Sequence, residues 1–108
     1  MEIRPLRGTN AYVSVMGLGG GGLSKLGYAE DRARACSIVT AAADRGVTLF
    51  DSAESYGTET ALGEALRAVP RDRIVLSTKL SYMNGRRPKP SKEIEASVRR
   101  SLERLRTD

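Results

Sequence analysis

The sequence predicts an α/β protein in which a short β-hairpin is followed by three βα units. Two apolar runs without polar alternation, residues 47–50 and 74–78, are typical of strands buried in a parallel sheet. Segments with helical periodicity lie between and after these runs. A strand and a helix recur at roughly 30 residues per unit, which implies parallel strands joined by right-handed crossovers.

The N-terminal residues have the pattern of a hairpin. Residues 3–7 and 11–15 flank Gly8, Thr9 and Asn10, which have turn chemistry, and the second arm alternates apolar and polar side chains. The first parallel strand is expected near residues 15–19. We therefore expect one domain, with the hairpin in residues 1–14 and the three βα units in residues 15–108.

Three helices are expected between and after the strands. The first covers about residues 30–45, with Glu30 and Asp31 at its positive end and Gly46 after its last turn. The second covers about residues 59–68. Their predicted inward faces are Ala35, Ile38, Val39 and Ala42 in the first helix and Leu62, Ala65 and Leu66 in the second.

The third helix is expected to start after a loop that contains Gly85, Pro88 and Pro90. Ser91 is the predicted N-cap, and the helix ends near Leu105. Its predicted buried stripe consists of Ile94, Val98, Leu102 and Leu105.

Composition excludes several classes of protein. With 40% hydrophobic and 29% charged residues, the chain of 108 residues is globular rather than disordered. Its apolar runs fall short of the roughly 20 residues that cross a membrane, and Glu2, Arg4 and Arg7 interrupt any signal peptide. Cys36 is the single cysteine, so no intrachain disulfide can form. A cytoplasmic protein without a membrane partner is expected.

The positive charge is concentrated at the C-terminal end. Residues 86–108 carry eight lysines and arginines against four acidic residues, so this segment holds +4 of the net charge of +5. A nucleic-acid surface would need aromatic side chains among these charges to stack on bases, and there are none. We interpret the segment as the solvated face of an outer helix and expect no nucleic-acid partner.

Three side chains that could take part in catalysis follow the predicted strands. Asp51 comes directly after residue 50, Tyr56 lies in the same loop, and Lys79 follows the next strand. The chemistry of parallel α/β proteins lies at the carboxyl ends of strands. A lysine ammonium beside a tyrosine hydroxyl favours the phenolate, so the tyrosine becomes a better proton donor to a carbonyl oxygen. Asp51 would hold the lysine charged and oriented. No metal site is expected.

The motifs around these residues resemble those of the aldo-keto reductase family. Residues 46–57 read Gly-Val-Thr-Leu-Phe-Asp-Ser-Ala-Glu-Ser-Tyr-Gly, similar to the family signature Gly-x-x-x-Phe-Asp-Thr-Ala-x-x-Tyr-Gly. Residues 75–79 resemble the family's third strand with its lysine, and residues 101–108 resemble its Ser-Leu-x-Arg-Leu-x-Thr-Asp run. The resemblance is collinear over essentially the whole chain.

This resemblance implies a partial (β/α)8 TIM barrel that reduces aldehydes or ketones with NADPH, or with NADH. It implies that Asp51, Tyr56 and Lys79 are three members of the family's catalytic tetrad, and that Gly19, Gly20 and Asp51 lie near the cofactor. Gly20 stands where many members have a threonine, and Ser52 replaces the usual threonine of the signature. The fourth tetrad member is a histidine, and the chain has none. A complete barrel takes roughly 250 residues, so an N-terminal fragment that is inactive alone is expected.

Three alternatives remain open at this point. Gly17, Gly19 and Gly22 match the dinucleotide-binding fingerprint of Rossmann domains, although six residues separate Gly22 from a plausible helix start. A lysine at a strand end can also form a Schiff base, as in class I aldolases, if it is neutral. A non-catalytic regulatory member of the aldo-keto reductase family is the third alternative.

Overall fold

The chain folds into a hairpin, a three-stranded sheet and three helices that cover one face of that sheet. A computed structural model describes residues 1–21 and 31–108. In chain order the elements are β1 (Ile3–Pro5), β2 (Tyr12–Ser14), β3 (Gly17–Gly19), α1 (Arg32–Asp44), β4 (Leu49–Asp51), α2 (Glu59–Ala65), β5 (Val75–Ser77), β6 (Met83–Asn84), β7 (Arg87–Pro88) and α3 (Ser91–Leu105). Single 3₁₀ turns lie at Glu54–Tyr56, Leu66–Ala68 and Arg71–Arg73.

The sheet has the predicted parallel and sequential arrangement. Its order is β3-β4-β5, and Gly19, Asp51 and Ser77 form the last row of its register. Backbone hydrogen bonds continue the β4–β5 pairing past this row, from Ser52 N–H to the Ser77 carbonyl at 2.8 Å. The carboxyl ends of the strands therefore lie side by side, which sets the position of the candidate site.

The predicted N-terminal hairpin is also present. β1 and β2 pair antiparallel, with Arg4 opposite Val13, and Gly8 adopts a positive φ of 79° in the turn. The hairpin is joined to the sheet by two reciprocal hydrogen bonds. Ser14 N–H donates to Thr48 Oγ1 at 2.8 Å, and Thr48 N–H donates to Ser14 Oγ at 2.9 Å.

The helices pack side by side, α1 against α2 and α2 against α3. The Asp31 carboxylate caps α1 by accepting from Arg34 N–H at 3.0 Å, whereas Glu30, where we predicted its start, lies outside the described residues. In the described parts of the chain, no helix has the length and apolarity to span a membrane. Buried residues of strands and helices form one core, which consists of Val39, Val47, Phe50, Leu62, Ala65, Leu66, Ile74 and Leu105.

The predicted N-cap of the third helix is wrong. Ser91 is the first helical residue, and Pro90 occupies the cap position without a side-chain hydrogen bond. The Pro90 carbonyl accepts from Ile94 N–H at 3.2 Å. Since proline fixes its own φ and has no N–H to satisfy, it begins the helix by geometry rather than by a side-chain oxygen.

The predicted buried stripe of α3 is confirmed at Leu105, half-buried at Ile94 and Leu102, and wrong at Val98. The buried residues are Ser97, Ser101 and Leu105, whereas the Val98 side chain is 39% exposed. At the C-terminal end of α3 the two helices approach closely, because a Cβ added at Gly63 would collide with the Arg104 carbonyl oxygen. The buried face of α3 therefore includes two serines, Ser97 and Ser101, which apolar periodicity does not identify.

The predicted loop after β5 contains a second hairpin. β6 and β7 pair antiparallel, with Asn84 opposite Arg87. Gly85, at the turn, has a positive φ of 61°. The sequence signal for this hairpin is Gly85, because glycine at the first position of a two-residue turn, here Gly85-Arg86, favours tight hairpins.

Candidate active site

Asp51 and Lys79 form the predicted ion pair at the carboxyl edge of the sheet. Lys79 Nζ lies 2.6 Å from Asp51 Oδ1 and 2.5 Å from Oδ2, and it also donates to the Ser52 carbonyl at 3.0 Å. Because successive side chains of a strand point to opposite faces, Ser77 and Lys79 share the face on which Asp51 lies. Ser77 Oγ donates to Asp51 Oδ1 at 2.7 Å.

These contacts keep the Asp51 carboxyl ionised. Its partial burial alone would raise the pKa, but hydrogen bonds from Lys79 and Ser77, together with the Lys79 charge, hold the pKa below its ordinary value of 3.8. The three acceptors around Lys79 match the three N–H groups of an ammonium. Asp51 is therefore an anion that holds Lys79 Nζ at the edge of the sheet.

Tyr56 lies on the same rim. It ends the 3₁₀ turn Glu54–Tyr56, and Gly57 then adopts a left-handed conformation with φ of 73°. Lys79 Nζ lies 5.4 Å from the centroid of the Tyr56 ring, within the range of a cation–π contact. The loop is held to the next strand by a hydrogen bond from Glu54 N–H to the Lys79 carbonyl at 2.8 Å.

The glycines after β3 bring the backbone close to this loop. A Cβ added at Gly20 would lie 2.9 Å from Thr58 Oγ1, and one added at Gly21 would lie 2.7 Å from the Tyr56 ring. Gly20 is buried, and its N–H donates to the Asp51 carbonyl at 2.7 Å. A Cβ added at Gly19 would meet nothing within 4 Å. Of the two glycines predicted near a cofactor, Gly19 is thus exposed, whereas Gly20 is buried and packs against Thr58 and Asp51.

Several polar residues that support the site were not among those predicted from the sequence. Ser77 contacts Asp51 directly, and the buried Ser52 and Thr58 hydroxyls lie 2.8 Å apart. Glu59 is a buried carboxylate behind β5. The period-2 alternation of β5 could have identified Ser77 as a neighbour of Lys79, whereas the positions of Thr58 and Glu59 depend on how α2 packs.

An open pocket of about 460 Å³ lies beside these side chains. It is lined by residues of the Tyr56 loop and of the segment after β5, namely Ala53, Glu54, Ser55, Tyr56, Lys79, Leu80, Ser81 and Lys89. A larger cavity of about 610 Å³ lies elsewhere, near the start of β5 and the end of α3. Of these two, the smaller pocket is the one that adjoins Tyr56 and Lys79.

The start of α1 bears on the dinucleotide-fingerprint alternative. That motif places a pyrophosphate at the helix N-terminus, with the third glycine in the helix opening. Gly22 lies outside the described residues, but α1 begins at Arg32 and its N-terminus is occupied by the Asp31 carboxylate. A carboxylate at this position would repel a phosphate, so α1 does not provide a Rossmann-type site.

The fold and the edge site together define the first part of a (β/α)8 barrel. An aldo-keto reductase from Bacillus halodurans, solved in its holo form, superposes with a TM-score of 0.79 at 29% identity, covering 100% of this chain and 37% of that chain. The family model described as "Aldo/keto reductase family" matches residues 15–108. The chain belongs to the aldo-keto reductase family, and the predicted family and fold class are confirmed.

Curated relatives support the same assignment. An aldo-keto reductase from Mycolicibacterium smegmatis is 38% identical over 96 residues, which cover 87% of this chain and 30% of the relative. Pyridoxal 4-dehydrogenase from Microbacterium luteolum is 40% identical over 85 residues, covering 76% of this chain and 25% of the relative. The chain therefore spans about a quarter to a third of the length of these two relatives.

Proposed function

We propose that the protein is an NADP(H)-dependent reductase of aldehydes or ketones, with Tyr56, Lys79 and Asp51 as its catalytic residues. The observation that carries this proposal is the Lys79 ammonium, fixed by both Asp51 oxygens and placed beside the Tyr56 ring. It lies at the carboxyl edge of parallel strands in a member of a family of oxidoreductases.

In this proposal Tyr56 is the proton donor. A carbonyl substrate binds in the pocket beside Tyr56 and Lys79, and its oxygen accepts the Tyr56 proton as the carbonyl carbon is reduced to an alcohol. Lys79 Nζ, 5.4 Å from the centroid of the Tyr56 ring, places a positive charge beside the oxygen that loses this proton. Asp51 orients Lys79 through both of its carboxylate oxygens.

We propose that a nicotinamide cofactor binds at the open side of this edge. When bound, NADPH, or NADH, supplies the hydride that reduces the carbonyl carbon. The exposed Gly19 backbone and Asp51 lie at the edge that would hold the nicotinamide end. The buried Gly20 fixes this edge by donating its N–H to the Asp51 carbonyl. Lys79 donates all three N–H groups to Asp51 and Ser52, so no N–H group is left to bind a cofactor phosphate. Its proposed role is to place a positive charge beside Tyr56.

The aldolase alternative is disfavoured by the same geometry. Formation of a Schiff base requires a neutral lysine amine that can attack a carbonyl carbon. Lys79 instead donates to Asp51 and to the Ser52 carbonyl, which stabilises the charged ammonium.

The test is the substitution Tyr56→Phe in the native polypeptide that contains these 108 residues. The variant keeps the ring that packs on Lys79 and Gly21 and loses the proton donor. We expect kcat for reduction of a panel of aldehydes to fall by about 10²- to 10⁴-fold, because that is the usual contribution of a general acid. NADPH binding, followed by quenching of its fluorescence, should change little.

The matched control is Tyr82→Phe. Tyr82 is an exposed tyrosine outside the pocket lining, and this substitution should leave both turnover and NADPH binding unchanged. Near-full turnover of Tyr56→Phe would refute the proton-donor role. A native polypeptide that binds NADPH but reduces none of the aldehydes would favour the regulatory alternative.

We further propose that residues 1–108 by themselves do not reduce carbonyls. The tetrad of the family includes a histidine, and these residues contain none. The chain also spans a minor part of the barrel of its relatives, so it presents one part of the wall around the proposed pocket.

A further inference from the structure

Glu59 is a buried carboxylate that the proposed chemistry does not use. It is the first residue of α2 and is 1% exposed. Its Oε1 accepts from Thr78 Oγ1 at 2.6 Å, and its Oε2 accepts from Arg104 Nε at 2.7 Å. Burial would raise the pKa of Glu59, but the hydrogen bonds from Thr78 and Arg104 hold it below its ordinary value of 4.5. Glu59 is therefore an anion inside the protein.

The Thr78 hydroxyl connects this anion to the site. Thr78 immediately precedes Lys79, and neighbouring side chains of an extended strand point to opposite faces. Fixing the Thr78 hydroxyl on the helix side of the sheet therefore directs Lys79 to the side on which Asp51 lies.

Arg104 extends the connection to the Tyr56 loop. Besides binding Glu59, its guanidinium lies 4.0 Å from the Glu54 carboxylate, and Glu54 begins the turn that ends at Tyr56. The Glu54 N–H also donates to the Lys79 carbonyl. The ion pair of Glu59 and Arg104 is thus joined to both chain segments that carry the proposed catalytic groups.

We propose that Glu59 is a positioning residue: it anchors Thr78 so that Lys79 meets Asp51 and faces Tyr56. The catalytic value of this positioning rests on the proposed function, but the positioning itself does not. A role limited to joining α2 to the sheet would stabilise the fold without affecting the Lys79 ammonium, and this difference makes the proposal testable.

The experiment compares Thr78→Val with Thr78→Ser in the native polypeptide. Valine keeps the shape and charge of the site and removes the hydroxyl, whereas serine keeps the hydroxyl. The readout is the rate of reductive methylation of Lys79 at neutral pH, measured by mass spectrometry, since an ion pair protects the amine from reaction. Lys92, exposed on α3, is the internal reference.

In Thr78→Val, Lys79 should be methylated roughly two- to fivefold faster, the range expected when a partly exposed ion pair is weakened. The kcat for aldehyde reduction should fall by roughly tenfold or more, because small misplacements of catalytic groups have effects of that size. Thr78→Ser should resemble the wild type in both measurements, and Lys92 should react at the same rate in all three proteins.

An unchanged Lys79 rate in a folded Thr78→Val protein would overturn the proposal. The same measurements distinguish the positioning role of Glu59 from the proposed reductase function. If Lys79 reacts faster but the wild type reduces no aldehyde, the positioning is correct and the proposed function fails. If Tyr56→Phe abolishes turnover while Thr78→Val alters neither measurement, the proposed function stands and the positioning fails.

Discussion

Asp51 and Glu59 are both held ionised by their neighbours, but they occupy different sides of the sheet. The Asp51 carboxylate lies at the accessible rim and is bound by Lys79 and Ser77. The Glu59 carboxylate lies in the helix layer and is bound by Thr78 and Arg104. The pair of Asp51 and Lys79 adjoins a pocket and can therefore contact a substrate. Glu59 is buried with Arg104 as its partner and can only stabilise the packing around it.

The lowered pKa of Glu59 predicts a dependence of stability on pH. Because its folded-state pKa lies below the ordinary value of 4.5, Glu59 contributes stability above that pH, and the contribution is lost as the pH falls through the folded-state pKa. Glu59→Gln should lower the free energy of unfolding by about 1–3 kcal/mol at neutral pH, because a hydrogen-bonded charge is removed from the interior. Its unfolding free energy should then fall less steeply than that of the wild type as the pH drops.

Urea denaturation from about pH 7 to about pH 3 measures this effect. Glu2→Gln is the matched control, since Glu2 pairs with Arg4 at the surface and its side chain is 60% exposed. That substitution should alter stability by less than about 0.5 kcal/mol. Parallel pH profiles of Glu59→Gln and the wild type would show that Glu59 does not titrate as its contacts imply.

At the scale of elements, the crossing of α2 and α3 depends on Gly63. Its missing side chain lets the α3 backbone at Arg104 and Leu105 lie against α2. In an exposed helix, Gly→Ala would add roughly 1 kcal/mol of stability. Here the new methyl group would collide with backbone, so Gly63→Ala should lower the free energy of unfolding by about 1–3 kcal/mol.

Chemical denaturation of Gly63→Ala checks this expectation. Thr40→Ala, at an exposed position of α1, is the control because it raises helix propensity on a helix other than α2 and α3. If Gly63→Ala proved as stable as the wild type, the two helices would have to be farther apart than described. A loss confined to Gly63→Ala would confirm the close crossing that positions Arg104 against Glu59.

The elements of this fold were predictable where side-chain periodicity decides them. β4 and β5, the first hairpin and the extents of α1 and α2 follow from apolar runs, turn residues and helical spacing. The inward face of α3 was only partly predictable from its own sequence, because burial there depends on how α3 packs against α2 and includes Ser97 and Ser101. The hairpin of β6 and β7 was missed because Pro88 and Pro90 suggested a loop.

The site divides in the same way. Asp51 and Lys79 could be placed together because parallel strands bring their carboxyl ends to one edge. Their supporting contacts could not, since Glu59 and Arg104 are separated by 45 residues and meet through helix packing. A sequence therefore identifies side chains at strand ends, such as Asp51 and Lys79, more readily than the buried side chains that position them, such as Glu59.

At the scale of the whole molecule, the sheet has open edges and apolar side chains in solvent. Within residues 1–21 and 31–108, β3 and β5 each pair with β4 alone in this sheet, so each has one side without a strand partner. Large apolar side chains that are exposed include Tyr12, Val15, Met16, Tyr82 and Val98. Unpaired strand edges and exposed apolar surface both favour association.

The last prediction concerns residues 1–108 produced as a separate polypeptide. We expect this polypeptide to be marginally stable or to self-associate. In the part of the chain that the structure describes, the inner face of the three-stranded sheet has no opposing strands of the kind that fill a barrel. We also expect no carbonyl reduction, since the sequence has no histidine for the tetrad of its family. Sedimentation velocity, thermal unfolding and NADPH oxidation with a panel of aldehydes measure these properties, with the native polypeptide as the reference. A cooperative monomer with clear turnover would contradict the prediction. It would mean that Asp51, Tyr56 and Lys79 suffice for reduction, or that the active site lies elsewhere in the chain.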